Sequence, residues 1–335
     1  MPFKTFNRSL LASGVLSSPY IGGEMAKDDV RFHEYAAKIL KERMASDGES
    51  IELHEDIMHH LLHPRKGERL SLGQLQAESS LLIAAGADTT SLTLAAAFFY
   101  LLHNPPAMEA LVREVRSVRS FKDTDEISPS ELDSLTYLHA VVNETLRLAP
   151  PVPSLLPREV MKHGIRIGND HIPEGTIVGI SAYVIHRNPK YFPEPNVFRP
   201  ERWIPTNSRG SSLSSLSNIP PTHDSGEPVH RAFLPFSKGP RACIGRQLAY
   251  LELCTTLAVL LQEFDIRLAR DPLTQELLED STDWRKSLAN QRGKAKNTGK
   301  GGEGQGKPPN FVYDDHFLAY GNGPMVQFRP HGKGK

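Results

Sequence analysis

The residues of this chain that could do chemistry sit in three short stretches. The most specific is FLPFSKGPRACIG, residues 233–245. Cys243 is one of only two cysteines among 335 residues, and an apolar-periodic run starts just after it. A thiolate needs positive partial charge nearby, and a helix N-terminus with successive backbone N–H groups supplies it. Gly239 and Gly245 let the backbone approach closely and take conformations that a side chain disfavours. Arg241, just before the cysteine, can fork onto a carboxylate of a bound group. Phe236 can wall the sulfur from water. These residue types at these offsets read as a ligand loop for a metal that takes one thiolate. An isolated cysteine at a helix start would read instead as a small buried hydrophobe.

The second stretch is AAGADTTS, residues 84–91. Small residues at Ala85 and Gly86 open one face of a helix, Thr89 offers a hydroxyl, and Asp88 sets a carboxylate beside it. Hydroxyls and glycine there can bend the helix by competing for its backbone bonds. Taken alone, the stretch is equally a polar interruption that helps a buried helix to pack. The third is ETLR, in which Glu144 and Arg147 share a helix face at i,i+3. Its bland reading is a surface ion pair worth well under ~1 kcal/mol.

Together these stretches resemble one family. FSKGPRACIG is similar to the heme-binding loop of the cytochrome P450 monooxygenases, Phe-x-x-Gly-x-Arg-x-Cys-x-Gly, at every fixed position. The resemblance implies heme b as cofactor, with Cys243 as the axial thiolate on its iron, which favours O–O cleavage. It gives Arg241 to one heme propionate, and Arg158, in LLPREV, falls where the family places a second propionate-binding arginine. Residues 85–89 match the family's oxygen-activation motif, Ala/Gly-Gly-x-Asp/Glu-Thr. By resemblance, Thr89 and Asp88 then deliver protons to O2. FRPERW, residues 198–203, supplies the Pro-Glu-Arg that the family pairs with its E-x-x-R. Arg202 would complete a buried cluster with Glu144 and Arg147 that is structural, not catalytic. The implied pocket walls are Ser80–Asp88, Val152–Leu156 and the Tyr320–Met325 turn.

The implied reaction inserts one oxygen atom from O2 into a small apolar organic substrate. Electrons come from an NADPH-cytochrome P450 reductase or a similar donor, and the setting is specialised metabolism or detoxification. Two alternatives stand beside it. One is a reductase-independent heme-thiolate isomerase, dehydratase or peroxygenase, against which the Asp88–Thr89 pair argues. The other is a truncated remnant without stable heme. Family chains are considerably longer, so the chain is expected to be a single partial domain over 1–335, truncated at its N-terminus, with residues 1–30 atypical.

The elements that must position these residues follow from periodicity and caps. Helical patterns run over 31–45 and 51–62. A long helix opens at Ser71 as N-cap and ends near HNPP at 103–106, and an amphipathic helix follows in PAMEALVREVRSV. Residues 128–131, Ser-Pro-Ser-Glu, signal a capped start. Two helices share that segment, and the second stops at Ala149 because Pro150, Pro151 and Pro153 follow. Residues 158–185 alternate, with turn signals at Gly-Asn-Asp and Pro-Glu-Gly, and predict a small sheet of short strands. The final long helix covers 245–264, and FLAYGNGPMVQFRP predicts a closing hairpin. Residues 207–228 read as a Ser/Pro-rich loop and 285–309 as a disordered Lys/Gly-rich insert. The fold class is therefore mainly α, α+β, with a minor β region in the second half, and is not an alternating βαβ fold.

Composition sets the remaining bounds. Lys+Arg and Asp+Glu each number 39, so no global field favours nucleic acid, and none is expected as a partner. Cys243 and Cys254 on one helix would lie about 16 Å apart at ~1.5 Å per residue, beyond disulfide reach. No C-x-x-C pair suggests structural zinc, and His59, His60 and His63 read as a solvated helix end. Leu81–Leu102 is apolar over the length of a membrane span. The polar residues from Asp88 to Thr93 make a span costly, so the expectation is a helix buried through the centre of a large domain. The resemblance implies the cytoplasmic face of the endoplasmic reticulum membrane. No anchor or signal is evident in the chain itself, which would make it cytoplasmic if complete.

Overall fold

The computed structural model describes residues 23–46, 56–64, 67, 69–118, 127–204, 228–270, 311, 313–316, 318–320 and 323–332. The expected loop at 207–228, Pro228 apart, and the insert at 285–309 lie outside them. The chain divides into two compact units, Met1–Ala87 and Asp88–Lys335, which are described separately.

In the first unit α1 spans Gly23–Ser46, earlier than the periodicity at 31–45 predicts. Its Ala36 and Leu40, at i,i+4, are buried. α2, Ile57–Leu62, is capped by Asp56, whose carboxylate accepts from the His59 N–H at 2.6 Å and pairs with Arg43 at 3.3 Å. The His59 backbone bond holds the Asp56 carboxyl below its usual range. His60 and His63 are exposed at the end of this helix. α3, Leu72–Leu102, starts at Ser71, whose Oγ accepts from Gln74 N–H at 3.4 Å while Gln74 Oε1 accepts from Ser71 N–H at 2.9 Å. Ser71 is the N-cap that the sequence predicts, and the return bond from Gln74 makes it reciprocal. By length and composition α3 is long and apolar enough to cross a membrane.

The expectation that α3 is buried along its length is corrected. Burial is concentrated from Leu92 to Leu101, whereas Leu81 is 62% exposed and Ala85–Asp88 are exposed. The physical reason lies in the pattern. LLIAAGA is apolar all round, which reads as a helix buried on every side, but the pattern does not say which neighbours would cover it.

The second unit is built round α6. α4 (Pro105–Arg116) buries Ala107, Leu111 and Val115. α5 (Pro129–Ser134) opens with the predicted capping box, Ser128 with Glu131. α6 (Thr136–Leu148) is buried from Leu138 onward and stops at Ala149, ahead of the prolines. Neighbouring side chains hold its two ends. Glu114 of α4 accepts from the Tyr137 and Leu138 N–H groups at 2.8 and 2.9 Å, supplying the N-terminal cap that Leu135 lacks. α9 (Arg246–Glu263) packs on α4 and α6, and Arg116 caps its C-terminal end by donating to Leu261 O and Phe264 O at 3.0 and 3.1 Å. The core joins these helices through Leu101, Leu111, Leu138, Leu146, Leu257 and Leu261.

The β region departs from the sequence reading in three places. The expected sheet over 158–185 is two separate antiparallel pairs. β1 (Arg158–Glu159) pairs with β4 (Ile177–Val178), and β2 (Ile165–Ile167) pairs with β3 (Asp170–Ile172). Residues 182–185 are not strand. They form α7 (Ala182–Ile185), because Ser181 Oγ accepts from Val184 N–H at 3.3 Å and starts a helical turn. The predicted closing hairpin is also replaced. β7 (Leu318–Tyr320) pairs backward with β6 (Asp314–His316), and β8 (Val326–Pro330) pairs with β5 (Phe264–Leu268), the strand that continues from α9. The five-residue register from Phe264↔Pro330 to Leu268↔Val326 competes successfully with the short local turn.

Candidate functional site

Cys243 is held by a tightly wound loop. α8 (Pro228–Ala232) leads into it. Leu234 C=O accepts from Ser237 N–H at 3.1 Å, and Ser237 and Gly239 take φ of +60° and +81°. Glycine suits the second of these, because any side chain at that φ is strained. Gly239–Arg241 form one 3-10 turn, closed by Ala242 N–H to Gly239 C=O at 3.0 Å. Cys243 N–H then donates to Phe236 C=O at 2.9 Å, which closes the loop. Phe236 thus holds the cysteine through its backbone, while its ring lies 5.3 Å from Tyr250 and Cys243 stays exposed.

Gly245 is the N-cap of α9, with φ −81°. This corrects the expectation that it needs a conformation closed to side chains. A Cβ there would make an ordinary van der Waals contact with Cys243 Sγ, at 3.9 Å. Gly245 brings no side-chain cap to the first turn of α9, so the positive end of the helix lies just after the cysteine. Arg241 and Arg158 are both exposed, and among the described residues neither pairs with a carboxylate; Arg158 donates to Pro157 C=O at 3.0 Å.

The other cysteine has the opposite setting. Cys254 is buried inside α9, 3.7 Å from His139 Nδ1, and burial pushes its thiol up to about 12. A thiol held protonated in a packed core is a poor metal ligand.

Asp88 and Thr89 sit on α3, exposed and half-buried. Thr93 Oγ1 donates to Thr89 C=O at 2.8 Å and Ser91 Oγ to Asp88 C=O at 3.1 Å, and the helix stays continuous through these back-bonds. The next residue, Thr90, donates to Glu252 Oε2 of α9 at 3.4 Å. That contact ties the helix bearing Asp88 and Thr89 to the helix that follows the Cys243 loop.

Glu144, Arg147 and Arg202 come together in full. Arg147 forks onto Glu144, with Nε to Oε2 and Nη2 to Oε1 both at 2.9 Å. Arg202 Nε adds a bond to Oε1 at 3.0 Å, and all three side chains are 4% exposed or less. The cluster is larger than the sequence indicates. Trp203 Nε1 donates to Glu144 Oε2 and Arg199 N–H to Oε1, each at 2.9 Å. Arg147 also donates to the carbonyls of His186, Pro195 and Val197 at 2.8, 2.6 and 3.2 Å. Trp203 directly follows Arg202 in FRPERW, and that adjacency was the available signal. His186, which returns a bond from Nδ1 to Arg147 C=O at 3.2 Å, had none.

The donor set fits a heme with a thiolate ligand. One accessible sulfur stands before a helix N-terminus that lacks a side-chain cap, and two exposed guanidiniums pair with no carboxylate among the described residues.

Comparisons with known proteins agree with this chemistry. The family profile described as Cytochrome P450 matches residues 15–294. The cytochrome P450 monooxygenase apf8 of Gibberella fujikuroi is 37% identical over 79% of this chain and 62% of its own length. The monooxygenase apf7 of the same organism is 40% identical over 72% of this chain and 45% of its own. The monooxygenase atnE of Emericella nidulans is 32% identical over 90% and 50%. The chain thus spans about half the length of the curated relatives it matches.

Proposed function

The chain belongs to the cytochrome P450 family, a heme-thiolate family, and on that premise we propose that it carries the thiolate side of a monooxygenase heme site, with Cys243 as the axial ligand of heme b. The observation that carries this reading is the Cys243 loop: an exposed sulfur at the start of α9, held by the Cys243–Phe236 backbone bond. Heme bound there supplies insertion of one oxygen atom of O2 into an apolar C–H or C=C bond, the other leaving as water, with electrons from an NADPH-dependent reductase.

The protein's part is ligand, charge and protons. The α9 N-terminus sets its positive end beside the Cys243 sulfur. Arg241 and Arg158 offer cations to the propionates. The Thr89 hydroxyl and the Asp88 carboxylate hold and pass protons where oxygen is activated. A small apolar substrate matches side chains such as Leu155 and Met325, which are exposed on this unit.

The test is spectroscopic. Express the full chain with heme supplied, reduce it, add carbon monoxide and record the Soret band. The parent is expected to give the strongly red-shifted carbonyl band of a thiolate-ligated heme. Cys243→Ala is expected to abolish it, and Cys254→Ala to leave it unchanged. Retention of the band in Cys243→Ala sinks the assignment.

Thr89→Ala is expected to keep heme binding while the fraction of NADPH consumption that yields product falls about tenfold or more, since positioned proton transfer contributes ~10²–10⁴-fold. Coupling equal to the parent's would remove Thr89 from the mechanism. A reductase-independent reaction would show instead as turnover without NADPH.

A further inference from the structure

We propose that His186 is a positioning residue that sets where the Cys243 loop sits on α6, an inference that rests on Cys243 being the iron ligand. His186 is fully buried at the C-cap of α7 and is bonded at both ring nitrogens. Its Nδ1 faces Arg147 C=O at 3.2 Å, and its Nε2 faces Leu234 N–H at 2.8 Å. A carbonyl only accepts and an amide N–H only donates. The partners therefore fix the tautomer: Nδ1 carries the proton and Nε2 accepts. The ring stacks on Phe233 at 5.4 Å and meets Phe192 edge-on at 6.1 Å, so it cannot swing away from either partner.

The two bonds make a strut. One end is on the residue that forks onto Glu144. The other is on Leu234, whose C=O accepts from Ser237 N–H in the loop that Cys243 N–H closes onto Phe236 C=O. Backbone turns fix the shape of this loop but not its place on the helices beneath. The Leu234 bond to His186 joins the backbone of 233–243 to a buried side chain outside the loop. Without that acceptor a half-buried N–H is orphaned, and the loop can drop from its seat.

Asparagine and glutamine separate the two ends, because asparagine places an amide near Nδ1 and glutamine one near Nε2. His186→Asn keeps a donor for Arg147 C=O and withdraws the acceptor from Leu234. His186→Gln does the reverse. In the heme-free full chain, exchange of the Leu234 amide is expected to quicken about tenfold in His186→Asn and to stay within about threefold of the parent in His186→Gln. In the heme-loaded chain, His186→Asn is expected to lose about half or more of the red-shifted carbonyl band to the band of an iron without thiolate, while His186→Gln keeps it. The proposal is overturned if His186→Asn keeps the band, or if both variants lose it equally. Cys243→Ala run alongside separates the two claims: a red-shifted band surviving there would refute the ligand assignment, whatever Leu234 exchange shows.

Discussion

Arg147→Ala is expected to give insoluble or heme-free protein, not a folded enzyme with altered kinetics. Arg147 and Glu144 are fully buried, and one guanidinium serves Glu144 and three backbone carbonyls. Removing it leaves the Glu144 carboxylate in the interior with Arg202 as its remaining guanidinium partner and takes the Arg147 donor from the His186 and Pro195 carbonyls, while Val197 C=O keeps a 3.4 Å bond from Arg202 Nη2. Breaking a buried pair in this way costs roughly 3–5 kcal/mol, against a total domain stability of ~5–15 kcal/mol. An exposed i,i+3 pair would cost well under ~1 kcal/mol, so the two readings differ several-fold in size. Thermal melts and heme content of Arg147→Ala against the parent measure it. A soluble, heme-loaded variant with the parent's melting temperature would show that the cluster does not carry the fold. Arg147→Lys is expected to fall almost as far, because an ammonium cannot reproduce the planar fork onto Glu144 while serving the carbonyls.

What the sequence disclosed, and what it hid, follow one physical division. Local chemistry was legible. Ser71, the Ser128–Glu131 box and the Pro150–Pro153 stop each act on their own backbone, and the helices begin or end at them. The Cys243 loop was legible for the same reason, since its turns are written in adjacent residues. Long-range pairing was not. GNG marks a tight turn, but it does not say that β8 finds a better partner in FDIRL, far back along the chain. E-x-x-R alone is ambiguous between a surface pair and a buried cluster. Only PERW, arriving from another segment, decides it by bringing Arg202 and Trp203 to the same carboxylate. His186 lay outside any periodic pattern, one of 14 histidines, and its role depends on two backbone partners that no spacing encodes. The exposed half of α3 was hidden because an all-round apolar helix does not name the face it buries.

Stability of the second unit is expected to fall as pH drops below 7, with His186 the largest single cause. Burial pushes the His186 imidazole down from its ordinary value near 6.5 to about 3. The hydrogen bond to Arg147 C=O opposes this, and the Arg147 and Arg187 guanidiniums assist it. The unfolded chain therefore takes up a proton at this residue well before the folded chain does, and stability rises with pH across that window. The contribution is complete above pH 6.5 and is lost as pH falls toward 3, about 5 kcal/mol in all and about 2 kcal/mol of it by pH 5. His139, pushed down by burial, adds in the same direction. Glu114 works against it. Burial raises its carboxyl despite the two N–H groups it caps, so its desolvation penalty is relieved as the medium acidifies. Urea midpoints of the full chain between pH 8 and pH 5 measure the sum, and His186→Gln isolates one member, since glutamine does not titrate. The variant is expected to be less stable than the parent at pH 8 but to lose about 2 kcal/mol less on going to pH 5. Parallel pH profiles for the two proteins would mean that His186 takes up its proton equally readily in the folded and unfolded chain. A ring bonded as a donor at Nδ1 and an acceptor at Nε2 cannot do that without losing Leu234.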